Sequence, residues 1–217
     1  MLKRRHNQHG VTLIELMVAV TIVGILFALA APNFSKWIQN QQTRAAAESI
    51  LNGIQLARST AVKNNNQARF VLCDYTDAPI PTSSWEVLAA SATAPAPSAS
   101  IACQGAIPGS IAAAGDVRVQ EYSSQEGSKF VKALPTIGPP AFTGANTVTF
   151  NSLGRVVTPT NPIDGSAPMA QIDVSYATWV LPYTTERPLR ITVSTGGNIR
   201  MCDPQLTVTA PNDPRAC

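Results

Sequence analysis

Glu15 is the residue whose type and surroundings most directly imply chemistry. It is the one charged residue in an apolar stretch from Val11 to Ala31. In a helix that rises about 1.5 Å per residue, this stretch is about 31 Å long, enough to cross a bilayer core of about 30 Å. A carboxylate at membrane depth costs about 2.5–3.5 kcal/mol on insertion scales, so we expect Glu15 to have a partner.

Catalytic and metal chemistry are disfavoured because both histidines, His6 and His9, lie within the first ten residues. A chain that loses those residues has no histidine for a Ser-His-Asp or Cys-His nucleophile, or for a metal site. The sequence also has no Gly-rich phosphate loop and no Cys-x-x-Cys pair. We therefore predict no catalytic residues, no metal and no cofactor.

The positive charge of the chain is concentrated in the same N-terminal segment. The whole sequence has 16 Lys and Arg residues against 13 Asp and Glu residues. Residues 1–10 contain Lys3, Arg4 and Arg5, and their removal leaves 13 of each sign. The basic character is therefore weak evidence for a nucleic-acid partner. Cations ahead of an apolar stretch hold that end in the cytoplasm, so the body of the chain is expected to be translocated.

The order of the N-terminal segments allows two cleavage sites. An ordinary secretory signal would be cut after the apolar stretch, near Ala28-Leu29-Ala30, and would release a soluble protein. The other cut lies before the stretch, after Gly10. The string Gly10-Val11-Thr12-Leu13-Ile14-Glu15-Leu16-Met17 resembles the class III leader of type IV pilins and type II secretion pseudopilins. The resemblance implies that prepilin peptidase cuts after Gly10 and N-methylates Val11, so residues 1–10 form the leader peptide.

For Glu15 the same resemblance implies a role in filament assembly. The carboxylate of one subunit would neutralise the new amine of Val11 in a neighbouring subunit, which relieves two desolvated charges together. The alternative is a carboxylate that snorkels to the nearby membrane interface.

Helical character continues beyond the transmembrane or filament-core helix of residues 11–31. From Asn33 to Lys63 only Gly53 is a poor helix former. Apolar residues recur at the i, i+3, i+4, i+7 spacing of a helix that packs on one side, which predicts an amphipathic helix over residues 32–64. The stripe consists of Ala47, Ile50, Leu51, Ile54, Ala57, Ala61 and Val62. Pro32 is expected to kink the helix or to mark its exit from the membrane. The alternative is two separate helices divided at Pro32.

The remaining residues, 65–217, predict a globular β-rich domain. Eight candidate strands are predicted: Ala68–Cys73, Trp85–Ala89, Val117–Tyr122, Thr147–Phe150, Arg155–Thr158, Gln171–Thr178, Leu189–Ser194 and Asn198–Cys202. Period-2 alternation is clear in Gln171–Ser175 and Arg190–Ser194. Gly196-Gly197-Asn198 predicts a tight hairpin between the last two. Residues 76–115 are rich in Ala, Ser and Pro, which indicates a loop-rich insertion. The expected class is α+β, with a long N-terminal helix packed on an antiparallel sheet.

Strings in this domain extend the resemblance to the GspH/FimT branch of minor pilins. Ala57–Val62 followed by Phe70–Cys73 looks like the helix-to-strand junction of that branch, and Phe150–Arg155 resembles its internal hairpin. Arg200–Pro204 and the tail Asp213–Cys217 are similar to the FimT/FimU-type minor pilins. The resemblance implies a type IV pilin-like fold.

The four cysteines fit an extracytoplasmic domain and allow three pairings. We predict Cys202–Cys217, which would pin the Pro-rich tail to the last strand, and Cys73–Cys103 around the first hairpin. The alternative is free buried thiols.

The favoured function is a minor pilin that primes or caps a type IV pilus. The resemblance implies a single-pass inner-membrane protein with a periplasmic domain that later joins an extracellular pilus. Its partners would be prepilin peptidase, the inner membrane, and other minor and major pilins. A GspH-like pseudopilin of a type II secretion system would share the leader, the helix and the fold.

A different class of function is DNA capture at a pilus tip for natural transformation. Some FimT relatives are thought to bind DNA near a C-terminal Gly-Arg-x-Arg motif. The matching stretch here reads Gly197-Asn198-Ile199-Arg200, so the first arginine of that motif is absent. The candidate DNA contacts are Arg187, Arg190, Arg200 and Arg215. Phosphate binding is weak and salt-sensitive without clustered cations.

Overall fold

The computed structural model describes residues 12–73, 83–91, 115–124, 127–128, 130–136, 146–162, 165–176, 187–209 and 212–217. The chain divides into two compact units, Met1–Ile38 and Gln39–Cys217. Most of the predicted insertion 76–115 lies outside the described residues, which include only residues 83–91 and 115 of it. Within the described part of the chain, no helix meets the length and mean hydropathy expected of a membrane span.

Helix α1 runs from Leu13 to Lys63, so Pro32 does not divide it into two helices. It begins at Thr12, whose Oγ1 accepts a hydrogen bond from the backbone N–H of Glu15 at 3.3 Å. A threonine at this position satisfies one of the backbone donors that every helix start leaves without an intrahelical acceptor. Thr12 is therefore the N-cap of α1.

The helix ends in a run of three asparagines, residues 64–66. Asn65 adopts a left-handed conformation with φ 46°, which asparagine tolerates better than most residues. Its N–H donates to the carbonyl of Val62, and the N–H of Asn66 donates to the carbonyl of Ala61. This pair of bonds is a Schellman motif, which satisfies carbonyls that the helix end would otherwise leave open.

Eight strands of the described residues form two four-stranded antiparallel sheets. The first has the order β3-β2-β1-β5 and the second β4-β6-β7-β8. The strands are β1 Ala68–Leu72, β2 Trp85–Ala90, β3 Asp116–Tyr122, β4 Val131–Thr136, β5 Thr147–Phe150, β6 Gln171–Tyr176, β7 Leu189–Val193 and β8 Ile199–Cys202. A short helix α2, Pro204–Thr209, follows β8. The α+β class predicted from the sequence is confirmed.

Two strand assignments from the sequence differ from the structure. The predicted strand Arg155–Thr158 is wrong, because only Val156 forms a bridge, with Phe150. The N–H of Val156 donates to Thr195 in the β7–β8 turn, so this segment links two sheets instead of extending one ladder. The strand β4 was not predicted from the sequence. It contains Pro135, and proline within sheets is largely confined to edge strands, which β4 is here.

The core lies between one face of α1 and the inner faces of both sheets. The helix contributes Ala46, Ala47, Ile50, Ile54, Ala57 and Ala61, all fully buried. They pack against strand residues such as Phe70, Phe150 and Ile191. The predicted stripe is therefore confirmed except at its last member, because Val62 is 51% exposed.

Candidate functional site

Glu15 lies in the first turn of α1, on a helix surface that is otherwise apolar. It borders a shallow groove with Ile14, Val18, Ala19 and Ile22. A further local signal is present in the sequence, because Thr12-Leu13-Ile14-Glu15 has the Thr-x-x-Glu spacing of a capping box. A carboxylate in the first turn also interacts favourably with the helix dipole, by about 0.3–1 kcal/mol. The position of Glu15 therefore suits a helix-start role as well as an intermolecular one. Gly10 and Val11 lie outside the described residues.

Two of the strings that carried the resemblance meet the β7–β8 turn at one point of the folded domain. Arg58 of α1 donates from Nε to the carbonyl oxygen of Gly154 at 3.1 Å. Gly197, in the β7–β8 turn, lies directly against the same carbonyl, so a Cβ at Gly197 would overlap that oxygen. Gly197 has φ +81° and Gly154 has φ +70°, a region that favours glycine. We call this contact of Arg58, Gly154 and Gly197 the three-way junction.

The turn that carries Gly154 is itself tightly bonded. The side-chain oxygen of Asn151 accepts the backbone N–H of Leu153 at 3.0 Å and that of Arg155 at 3.1 Å. The N–H of Gly154 donates to the carbonyl of Asn151 at 2.8 Å. An Asn side chain that replaces backbone acceptors in this way holds a turn in one conformation.

The C-terminal tail is bound along the edge strand β8. A disulfide joins Cys202 of β8 to Cys217, with a Cα–Cα distance of 5.2 Å. The N–H of Asp203 donates to the carbonyl of Arg215 at 2.7 Å. The guanidinium of Arg200 donates to the carbonyls of Pro214 and Ala216 at 3.1 and 2.8 Å. We call residues 213–217 bound in this way the C-terminal clasp.

A charged pair strengthens the turn inside the clasp. Arg215 donates from Nε and Nη2 to the two carboxylate oxygens of Asp213, at 3.0 and 2.8 Å. These hydrogen bonds lower the pKa of Asp213 from 3.8 to about 2. Asp213 and its partner therefore remain ionised through the range in which ordinary carboxylates titrate.

Removing the disulfide of the clasp is expected to destabilise the domain by about 3 kcal/mol, the chain-entropy value for a loop of about 15 residues. Cys217→Ser tests this by thermal and urea unfolding of the oxidised protein. The matched control is the reduced wild-type protein against reduced Cys217→Ser, which should differ by much less. Equal stability of the two oxidised proteins would contradict the prediction.

The other predicted disulfide is described only at one end. Cys73, directly after β1, is buried and disulfide-bonded. Its predicted partner Cys103 lies outside the described residues. Among the described residues, no group of three or more His, Cys, Asp or Glu side chains could hold a metal ion.

The four arginines proposed for DNA contact have different surroundings. Arg190 forms a two-bond ion pair with Asp173, at 2.6 and 2.9 Å. Arg200 and Arg215 hold the C-terminal clasp, and Arg187 is exposed before β7. A phosphate backbone would have to compete with protein acceptors for three of these four guanidinium groups. DNA contact stays a prediction, and this arrangement does not favour it.

Comparison with protein-family models gave two matches on separate parts of the chain. The model of type II transport protein GspH matches residues 46–209. The chain belongs to the GspH family. The prokaryotic N-terminal methylation motif matches residues 5–31, which include Gly10, Val11 and Glu15. The two matches together identify a minor pilin or GspH-like pseudopilin, a structural class of protein.

Solved structures similar to this GspH-family protein include two crystal forms of the type IV minor pilin FimU of Pseudomonas aeruginosa. Both are 14% identical to this chain in sequence, with TM-scores of 0.43 and 0.38. The matches cover 76% and 73% of this chain, and 91% and 90% of the FimU chains. A comparison with curated protein sequences gave no match.

Proposed function

We propose that this GspH-family protein is a minor pilin that primes or caps a type IV pilus. The observation that carries the proposal is that one chain combines the methylation motif at residues 5–31 with the GspH domain at 46–209. In this proposal prepilin peptidase cuts after Gly10 and methylates Val11. The chain then stays in the inner membrane through residues 11–31, with its domain in the periplasm, until it enters the filament beside other minor and major pilins.

The exposed side chains of the first unit support a role in assembly. Leu13, Ile14 and Phe27 are 71–78% exposed in the isolated chain. Burying one such side chain contributes about 1.5–3 kcal/mol, so a surface of this kind needs lipid or neighbouring helices around it. The intact mass of the protein from native membranes, measured without reducing agent, tests the processing steps. A mass that retains residues 1–10, or that begins near Ala31, would contradict the proposal.

Glu15→Gln is expected to reduce incorporation into filaments at least tenfold. The glutamine keeps the capping-box geometry but removes the charge that would neutralise the Val11 amine of a neighbour. Leaving one charge of a desolvated pair uncompensated costs about 3–5 kcal/mol, and 1.4 kcal/mol already corresponds to tenfold. Incorporation is measured by quantitative mass spectrometry of sheared filaments against total membrane protein.

Glu48→Gln is the matched control, because Glu48 is also an exposed glutamate of α1 but pairs with Arg44 on the same helix. Its incorporation should equal that of the wild type. If Glu15→Gln incorporates normally as well, the pairing with Val11 is wrong and the helix-start role of Glu15 is sufficient.

A second candidate is a pseudopilin in a type II secretion system, and the description of the matched family favours it. Its cleavage, methylation and assembly would be the same, and only the system that it belongs to, a pilus or a secretion apparatus, would differ. Deletion of the gene in its native host separates the two. Loss of surface pili with normal protein secretion supports the pilus, whereas loss of secretion with normal pili supports the pseudopilus.

A further inference from the structure

Leu153 is a large apolar side chain that is 75% exposed at the tip of a rigid turn. The backbone around it is held by Asn151 on one side and by the three-way junction on the other. Val62 of α1, which is 51% exposed, lies close to Gly154 in the same turn. The fold therefore presents an apolar projection in one conformation, so little entropy is lost if it binds a partner.

The charged side chains that line the two grooves beside this projection are all cationic. Arg58, Lys63 and Arg155 are exposed next to Val62 and Leu153. The residues that line the two grooves beside Val62 and Leu153 belong to three segments, 55–67, 151–158 and 194–199. They contain these three cations and no aspartate or glutamate. We call Arg58, Val62, Lys63, Leu153 and Arg155 the knob surface.

We propose that the knob surface docks a second protein subunit of the same assembly, one with an apolar pocket bordered by carboxylates. Leu153 would fill the pocket, and the flanking cations would face the carboxylates. An apolar centre with a charged rim is the usual arrangement of a protein interface, and complementary charge selects the partner. DNA would use the cations but would leave Leu153 in water. The inference rests on the proposed function, because it places the partner in the same filament.

The test uses the full-length chain in its native host, with a photo-crosslinking benzoyl-phenylalanine in place of Leu153. The matched control carries the crosslinker in place of Val117, a 44% exposed apolar residue of β3 that is not part of the knob surface. We expect position 153 to give an adduct with one pilin-like subunit, through a peptide that contains Asp or Glu. Position 117 should not give that adduct.

Charge reversal tests the rim of the knob surface. Lys63→Glu with Arg155→Glu should lower the yield of the adduct at position 153 at least tenfold, and the charge-keeping pair Lys63→Arg with Arg155→Lys should preserve it. All of these side chains are exposed, so the melting temperature of each variant should stay close to that of the wild type. Replacing the partner's crosslinked carboxylate by lysine should restore the adduct with the reversed variant.

An adduct with DNA or lipid, an adduct equally strong at position 117, or a yield insensitive to charge reversal would overturn the inference. So would the absence of any adduct at position 153 in a chain that is present in filaments. That last result would leave the proposed function standing. Absence of the wild-type chain from filaments would instead overturn the proposed function itself.

Discussion

Gly197→Ala is expected to destabilise the domain by about 3–5 kcal/mol, which is large for a single substitution. The new Cβ would overlap the carbonyl oxygen of Gly154, which is backbone and has no rotamer to change. Alanine at φ +81° adds about 1–2 kcal/mol of strain. If the turn that carries Gly154 moves away from Gly197, the hydrogen bonds from Arg58 to Gly154 and from Val156 to Thr195 are lost, at about 1 kcal/mol each.

Thermal and urea unfolding of the purified protein measure this effect. For a domain of 150–250 residues, 1 kcal/mol shifts the melting temperature by about 2–4 °C, so a fall of roughly 10 °C is expected. The neighbouring residue supplies the control. A Cβ at Gly196 would have only the Ser194 hydroxyl nearby, at 3.9 Å, so Gly196→Ala should change stability by less than about 1 kcal/mol. Equal effects of the two substitutions would show that turn flexibility, and not the three-way junction, is what matters.

Arg69→Met is expected to destabilise the domain by about 3–5 kcal/mol, because it leaves a buried carboxylate without its cation. Arg69 of β1 and Asp116 of β3 form an ion pair across the first sheet, and both side chains are almost fully buried. Removing both charges at once should lower the free energy of unfolding far less. The double variant Arg69→Met with Asp116→Leu is expected to recover most of the lost stability, because apolar replacements of a buried pair are often neutral.

The exposed pair Arg44–Glu48 provides the comparison for these measurements. Its side chains are 67% and 48% exposed, and pairs of this kind on a helix contribute only about 0.3–0.5 kcal/mol. Glu48→Gln should therefore leave the urea midpoint almost unchanged. A double variant at Arg69 and Asp116 that is no more stable than Arg69→Met would contradict the account, and would point to a role of Asp116 apart from its charge.

Local patterns in the sequence predicted most of the fold. The apolar spacing from Ala47 to Ala61 identified the buried face of α1, and the candidate strands matched seven of the eight described strands within one or two residues. Burial of one face imposes a period of 3.6 on a helix and of 2 on a half-buried strand such as β7. The strands β1 and β5 are buried along their whole length, so they are read as short continuous runs of β-forming residues. The prediction failed at β4 and at Arg155–Thr158. Whether these segments form strands depends on which other segment lies beside them in the fold.

The candidate site divides in the same way. The basic leader, Gly10 and the apolar stretch containing Glu15 follow one another along the chain, so a local pattern was enough to predict them as one motif. The methylation motif matches the same residues. The role of Arg200 could not be inferred from neighbouring residues. It was a candidate DNA contact, but in the structure its guanidinium donates to the carbonyls of Pro214 and Ala216. Its partners lie in a tail that turns back on β8, and the identity of an arginine does not reveal its acceptor.

Function class, segment order and the periodic elements are thus properties of residues near one another along the chain. The three-way junction and the knob surface are not. Arg58 and Gly154 are 96 positions apart, and Gly197 joins them from a third segment, so no local pattern marks their contact. Such contacts depend on how the two sheets pack against α1, because only that packing brings a backbone oxygen, a guanidinium and a glycine to the same point.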